Sequence, residues 1–327
     1  NAVKRRLKNG THALLVSHLI EPKKDNNLLA RDCYCLTETA CKELLSELNL
    51  TVQEKVVPRN IILAKEIAEK SLFYNSREKG QIDQLVSLLD IDNFTKVQKR
   101  LVKNGMRKGF ACLFYGSPGT GKTETVYQVA RQTGRDIMYV NVSEIKSMWV
   151  GESEKNIQAL FDRYRDLLQQ TEHAPILLFN EADAVIGIRQ EGAQRAVDKM
   201  ENSIQNIILQ EMEKLDGIMI ATTNLTQNLD PAFERRFLFK IEFEKPNLEA
   251  KRAIWHSMIP SLSETDATIL AKSYDFSGGQ IENIARKGII DHIIRGRRST
   301  LSMLHDYCKH ELIHTKNIQR QPIGFRR

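Results

Sequence analysis

The chain has little of what would tie it to an oxidising compartment or to a membrane. It carries five cysteines. An odd number at irregular spacing fits no disulfide framework and points to a reducing cytosol. Cys33, Cys35 and Cys41 lie close together, yet no C-x-x-C pair or nearby His-x-x-x-His accompanies them. They read as small buried hydrophobes rather than metal ligands. Apolar runs such as "PILLF" are far too short to span a bilayer. There is no internal repeat and no low-complexity tract. The expectation is a cytoplasmic protein without membrane contact. The first residue is Asn1 rather than Met, so a preceding targeting segment stays open.

What is present suits a soluble globular chain: 41% hydrophobic and 27% charged residues. Its 327 residues leave room for about two domains. A net charge of +7 permits contact with nucleic acid or acidic proteins and demonstrates neither. The small basic clusters, such as Lys4-Arg5-Arg6 and Arg295-Arg297-Arg298, read as solvated surface.

The texture changes along the chain. In residues 1–56, a helix-like stretch ends in "HLIE", a polar turn follows, and "RDCYCLT" reads as a strand. Thr37 is then placed to cap a helix. That order resembles the second half of a winged helix, with DNA contact through Lys4, Arg5, Arg6 and Lys8 as one use and protein contact as another. Residues 57–75 read as a linker. Residues 76–246 alternate short buried strands ("ACLFY", "DIMYVNV", "PILLF", "GIMIATT") with helical patterns, which predicts a parallel α/β sheet sandwiched by helices. Residues 247–315 read as an all-α lid, and 316–327 as a tail.

The most specific motif is "GSPGTGKT", comprising Gly116, Ser117, Pro118, Gly119, Thr120, Gly121, Lys122 and Thr123. It follows a predicted strand and opens a predicted helix, as a phosphate-binding loop must. Glycines let backbone N–H groups turn toward phosphate oxygens, and the helix start adds positive field. Lys122 is suited to the β- and γ-phosphates and the Thr123 hydroxyl to magnesium. Glu124, next on the helix, is grouped with the nucleotide-binding set. Downstream, the strand "PILLF" runs into Asn180 and Glu181. The strand "GIMIATT" ends at Asn224, and Arg235 and Arg236 precede the strand "LFKIEF".

These motifs, with "SMWVGESEKNIQALF" and "SGGQIENIA", resemble the AAA ATPase family, the ring-forming branch that remodels proteins. The likeness runs from about Leu72 to Leu312 and is closest in character to bacterial members. It implies a P-loop NTPase fold with a helical lid, ATP and Mg2+ as ligands, and hydrolysis of ATP to ADP and phosphate. It implies that Glu181 polarises the attacking water, that Asn224 helps orient that water, and that Arg235 and Arg236 complete the site of a neighbouring copy. The partner is therefore the chain itself, usually in a hexamer. Met148, Trp149 and Val150 fall where the family has its first pore loop, which grips an unidentified polypeptide substrate. Residues 189–200 fit a second such loop. Gly278 and Gly279 stand where other branches carry an arginine, and backbone packing near the nucleotide suits them. Arg286 either compensates or is surface.

One residue departs from the pattern. Asn180 stands where the family usually has aspartate beside magnesium. Its amide oxygen still accepts a hydrogen bond but carries no charge. The sequence thus allows three functions: a protein remodeller with retuned magnesium use, a DNA-associated motor or loader, and a nucleotide-gated scaffold with impaired hydrolysis.

Overall fold

The computed structural model describes residues 2–9, 11–25, 28–37, 40, 60–142, 153–188, 196–225, 227–296 and 299–312. The chain divides into two units, Asn1–Arg59 and Asn60–Arg327.

The first unit holds α1 (Ala2–Lys8), α2 (Ala13–Val16) and an antiparallel hairpin of β1 (Ile20–Asp25) and β2 (Leu28–Leu36). The helix expected to run through "HLIE" stops earlier. His18 adopts φ +55, and the N–H groups of His18 and Leu19 return to the carbonyls of Leu15 and Leu14 at 3.2 and 3.0 Å. That is a helix-ending turn with a left-handed residue in the position glycine usually takes. Ile20 and Glu21 are thereby freed to pair with Leu36 and Cys35. Thr37 accepts the Ala40 N–H at 3.2 Å, as an N-cap does.

In the second unit a six-stranded sheet has the order β3-β5-β6-β7-β4-β8. Its strands are β3 (Ile61–Ile62), β4 (Phe110–Gly116), β5 (Ile137–Asn141), β6 (Ile176–Asn180), β7 (Ile218–Thr223) and β8 (Phe239–Phe243). β3 pairs antiparallel with β5, and the other pairs are parallel. The core strands are buried on both faces, as crossover helices require. Alternate residues serve opposite layers. Leu113, Leu177, Phe179 and Met219 pack with α6 (Ser153–Gln170) and α8 (Ala196–Glu213). Cys112, Phe114, Leu178 and Ile220 pack with α3 (Ser76–Leu89) and α5 (Lys122–Thr133). Also described in this part are a 3-10 turn (Ala64–Glu66), α4 (Ile91–Lys103), α7 (Asp183–Ile186) and α9 (Pro231–Glu234).

Arg135 braces the far end of the sheet. Its Nε donates to the Leu89 carbonyl at the end of α3, at 2.9 Å, and Nη1 to the Ala174 carbonyl at 2.7 Å. The guanidinium lies over the Phe94 ring, 4.5 Å from its centroid. A cation there meets the negative end of a helix and two orphan carbonyls.

The segment read as a linker is built into this unit. It supplies β3 and then lies along α5. Gln128 donates to the Ala68 carbonyl (3.0 Å), Arg131 to that of Ile67 (3.1 Å), and Tyr74 shares a hydrogen bond with Thr125 (3.0 Å).

Four helices follow: α10 (Leu248–Met258), α11 (Glu264–Ser273), α12 (Gly278–Arg295) and α13 (Leu301–Glu311). They surround their own core, which includes Trp255, Leu270, Phe276, Ile284 and Leu304. Asn75 and Glu78, the capping box of α3, hold the strand-to-lid junction. Asn75 accepts the Asn247 N–H at 2.8 Å and donates to the Lys245 carbonyl at 3.2 Å, while Glu78 accepts the Glu244 N–H at 2.8 Å. No helix among the described residues is long and apolar enough to cross a membrane.

Candidate functional site

The carboxyl ends of β4, β6 and β7, neighbours in the sheet, converge on one cavity of about 280 Å³. Ends of parallel strands are where open α/β sheets bind ligands. From β4 the chain enters the glycine loop, where Gly116, Gly119 and Gly121 have φ of +137, +74 and +94. Such values cost little without a Cβ, and the loop's backbone can curl around a ligand. Gly121 then opens α5. Pro118, Gly119, Gly121, Lys122, Thr123 and Glu124 line the cavity.

The Lys122 ammonium curls back onto the loop, donating to the Gly116 and Ser117 carbonyls at 2.9 and 2.8 Å. Burial pushes its pKa down to about 8, opposed by the charge of Asp183. Thr120 donates to the Ser117 carbonyl at 2.8 Å. Glu124 pairs with Lys70 at 2.8 Å and accepts from Gln128 at 3.0 Å, joining the loop's helix to the segment before α3.

Opposite the loop, Asn180 closes β6. Its Oδ1 accepts two hydroxyls, Thr123 at 2.7 Å and Thr222 at 3.1 Å. Glu181 follows with φ +53, an uncommon conformation for a residue with a side chain. It is held there because its N–H donates to Thr222 Oγ1 at 3.1 Å and the Ala182 N–H donates to the Thr222 carbonyl at 2.8 Å. Glu181 is exposed and lines the cavity, as does Asn224 at the end of β7. Cradle, carboxylate and amide thus face one space.

A second cavity of about 420 Å³ shares Gly119, Gly121 and Glu124 with the first. Leu72, Phe73 and Tyr74 line it from one side, and Ile254, Met258 and Gly279 from the lid. At its floor the Gly279 N–H donates to the Gly119 carbonyl at 2.8 Å. A Cβ on Gly279 would stand 3.2 Å from Gly119 Cα, so only glycine lets these backbones approach without displacement.

Arg235 and Arg236 line neither cavity. Arg236 is tied to Glu213 and to the Ala232 carbonyl, while Arg235 is exposed and its side chain, among the described residues, bonds the Pro231 carbonyl at 3.2 Å. Arg286 is exposed on α12. Met148, Trp149 and Val150 lie outside the described residues, as do 189–195.

Sequence reasoning passed over Thr222; it took Asp183 only as a charge remaining beside Asn180, and of the segment from Ile67 to Tyr74 it placed only the stretch from Ser71, at the edge of the adenine pocket. Thr222 and Asp183 are adjacent to motif residues, and two neighbouring hydroxyls at the end of a buried strand were the available signal. The Ile67–Tyr74 segment has no pattern of its own.

Residues 112–245 match the model of the ATPase family associated with various cellular activities (AAA). The chain carries an AAA domain. The proteasome-associated ATPase of Thermobifida fusca is 28% identical over 79% of this chain and 46% of its own length. The ATP-dependent zinc metalloprotease FtsH 1 of Sphaerobacter thermophilus is 33% identical over 62% of this chain and 32% of its own. The chain therefore spans less than half the length of either relative. Among solved structures, the FIGL-1 AAA domain superposes with a TM-score of 0.59 at 18% identity, covering 77% of this chain and 86% of that one. A structure of the same domain with ADP gives the same TM-score at 20% identity. These likenesses establish the AAA fold, with its mostly parallel sheet flanked by helices.

Proposed function

We propose that the chain is a magnesium-dependent ATPase that works as one subunit of a ring and remodels proteins. The observation that carries the reading is the convergence of the glycine loop, Glu181 and Asn224 on one cavity. A glycine cradle that opens a helix suits a polyphosphate, and the adjoining lid-side cavity suits a nucleoside; the related FIGL-1 domain has been captured with ADP. The residues present fit magnesium. Thr123 Oγ1, on the cavity wall, and Asn180 Oδ1, 2.7 Å from it, are hard oxygen donors. The ion would supply neutralisation of phosphate charge.

Each side chain then has a task. Lys122 leaves the loop carbonyls for phosphate oxygens, exchanging neutral acceptors for charged ones. Glu181 accepts a proton from an attacking water, and Asn224 orients that water by hydrogen bonding. Arg235 acts on the neighbouring copy, since it is exposed and has no part in its own chain's cavity. Ile289, Ile290, Ile293 and Ile294 leave an apolar row uncovered on α12, which suits a second copy of the chain. Trp149 would grip extended polypeptide by apolar contact that reads no particular sequence.

Steady-state hydrolysis across magnesium concentrations tests the enzyme. Turnover that rises with magnesium and vanishes in Glu181→Gln is expected. No turnover above that variant at any magnesium level would instead favour a nucleotide-gated scaffold, to which Asn180 points. Trp149→Ala is expected to keep ATPase activity and lose remodelling of a model unfolded protein.

A further inference from the structure

Asp183 is the first residue of α7 and does not line the phosphate-side cavity. It nevertheless bridges the two segments that carry Glu181 and Asn224. Its Oδ1 accepts the Thr223 hydroxyl in a short hydrogen bond and the Asn224 backbone N–H at 2.9 Å. Thr223 Oγ1 in turn accepts the Leu225 N–H at 3.0 Å. One carboxylate oxygen therefore organises the last residue of β7 and the two that follow it. Thr223 is 1% exposed, so its hydroxyl has no water to fall back on.

A parallel tie runs one residue earlier, where Thr222 Oγ1 joins Asn180 Oδ1 and the Glu181 N–H. Two side-by-side links thus cross from the end of β6 to the end of β7. The first fixes Glu181 and the second fixes Asn224. Only the second depends on an acid, and α7, one turn long, gives that acid little else to do.

We infer that Asp183 is a positioning residue: by anchoring Thr223 and the Asn224 N–H, it holds the Asn224 side chain in register with Glu181 across the cavity. The inference rests on the ATPase reading for its catalytic consequence and stands on geometry for the anchoring. In a site where Asn180 contributes no charge, Asp183 is also the nearby carboxylate whose field acts on Lys122. Charge and anchoring separate experimentally. Asp183→Asn keeps an oxygen for both donors and removes the charge, whereas Asp183→Ala removes both.

The test uses the full chain and two readouts. Hydrogen exchange of the Asn224 amide, followed by mass spectrometry without nucleotide, reports the anchor. Values of kcat and KM for ATP report its consequence. In Asp183→Ala the amide is expected to exchange at least tenfold faster and kcat to fall at least tenfold, with KM within twofold. Asp183→Asn is expected to recover most of both. In an Asn224→Ala background, Asp183→Ala is expected to lower kcat less than twofold further, since a residue acting through another cannot be lost twice.

Unchanged exchange in Asp183→Ala overturns the inference, as do additive losses with Asn224→Ala or an Asp183→Asn variant as slow as Asp183→Ala. If Asp183→Ala does not fold, Asp183→Ser, whose hydroxyl is too short to reach both the Thr223 hydroxyl and the Asn224 N–H, takes its place, and the same outcomes decide. A wild-type chain without turnover removes the ATPase reading, while the exchange measurement still decides the anchor.

Discussion

The Thr123 hydroxyl donates to Oδ1 of Asn180 at 2.7 Å, joining the glycine loop to the end of β6. The same oxygen accepts Thr222 at 3.1 Å, so Asn180 joins three segments of the site through one atom. A carboxylate there would accept the same hydroxyls and add charge. The asparagine keeps the geometry and gives up the field.

Asn180→Asp is therefore expected to lower the magnesium concentration for half-maximal hydrolysis. A charged acceptor outweighs a neutral one by about 1 kcal/mol, roughly fivefold in affinity. Asn180→Leu strands two hydroxyls, one of them on the buried Thr222, and is expected to reduce stability by about 2 kcal/mol. Magnesium titration of the hydrolysis rate and denaturant unfolding check the two halves.

Gly279→Ala separates packing from helix propensity. Alanine favours the helix, but its Cβ would stand 3.2 Å from Gly119 Cα and push the lid from the loop. The expected result is ATP affinity weakened by about fivefold, the equivalent of about 1 kcal/mol of overpacking, with an unchanged or slightly raised Tm. Binding of a fluorescent ATP analogue and a thermal melt measure both.

Asn75→Ala should act at the junction between sheet and lid. It removes an N-cap of α3 and the partners of the Lys245 carbonyl and the Asn247 N–H. A loss of about 1–2 kcal/mol is expected, the usual size for a lost cap. Faster hydrogen exchange in residues 244–258 would accompany it.

Arg135→Met tests the brace at the opposite end. Leaving the Leu89 and Ala174 carbonyls unpaired and losing the contact with Phe94 is expected to cost about 2–4 kcal/mol. Arg135→Lys recovers only part, since a point charge cannot serve both carbonyls and stack on a ring. Chemical denaturation of the three proteins gives the comparison.

Arg235→Ala and Arg236→Ala should behave differently. Arg235 is exposed, with one side-chain bond among the described residues, so its loss is expected to leave the Tm unchanged and to slow hydrolysis by on the order of a thousandfold, the size of an arginine-finger effect. Arg236 holds Glu213 and the Ala232 carbonyl, so its loss should lower the Tm as well. Thermal melts paired with hydrolysis rates in mixed assemblies separate the two.

The glycine loop, the strand that ends in Asn180-Glu181 and the strand that ends at Asn224 were legible because each joins a short apolar run to a polar tip. The run is set by burial on both faces of the sheet, and the tip by the need to serve a ligand. Lid helices were legible from their periodicity. The stretch "HLIE" misled because local apolar spacing does not register His18 turning left-handed, which ends the helix and frees Ile20 to pair with Leu36. The segment from Ile67 to Tyr74 looked like a linker because its backbone partners are Gln128 and Arg131 on α5, far along the chain.

The sequence by itself determined the residue types: a glycine loop, a carboxylate and an amide in a fixed order, because residue type and local spacing are written in the chain. Only the tertiary structure decided how those groups are held. The double hydroxyl bond at Asn180, the anchoring of Asn224 by Asp183 and the contact of Gly279 with Gly119 all join residues distant in sequence. Such hydrogen bonds depend on strand order and on the close approach of backbones, which no local pattern specifies.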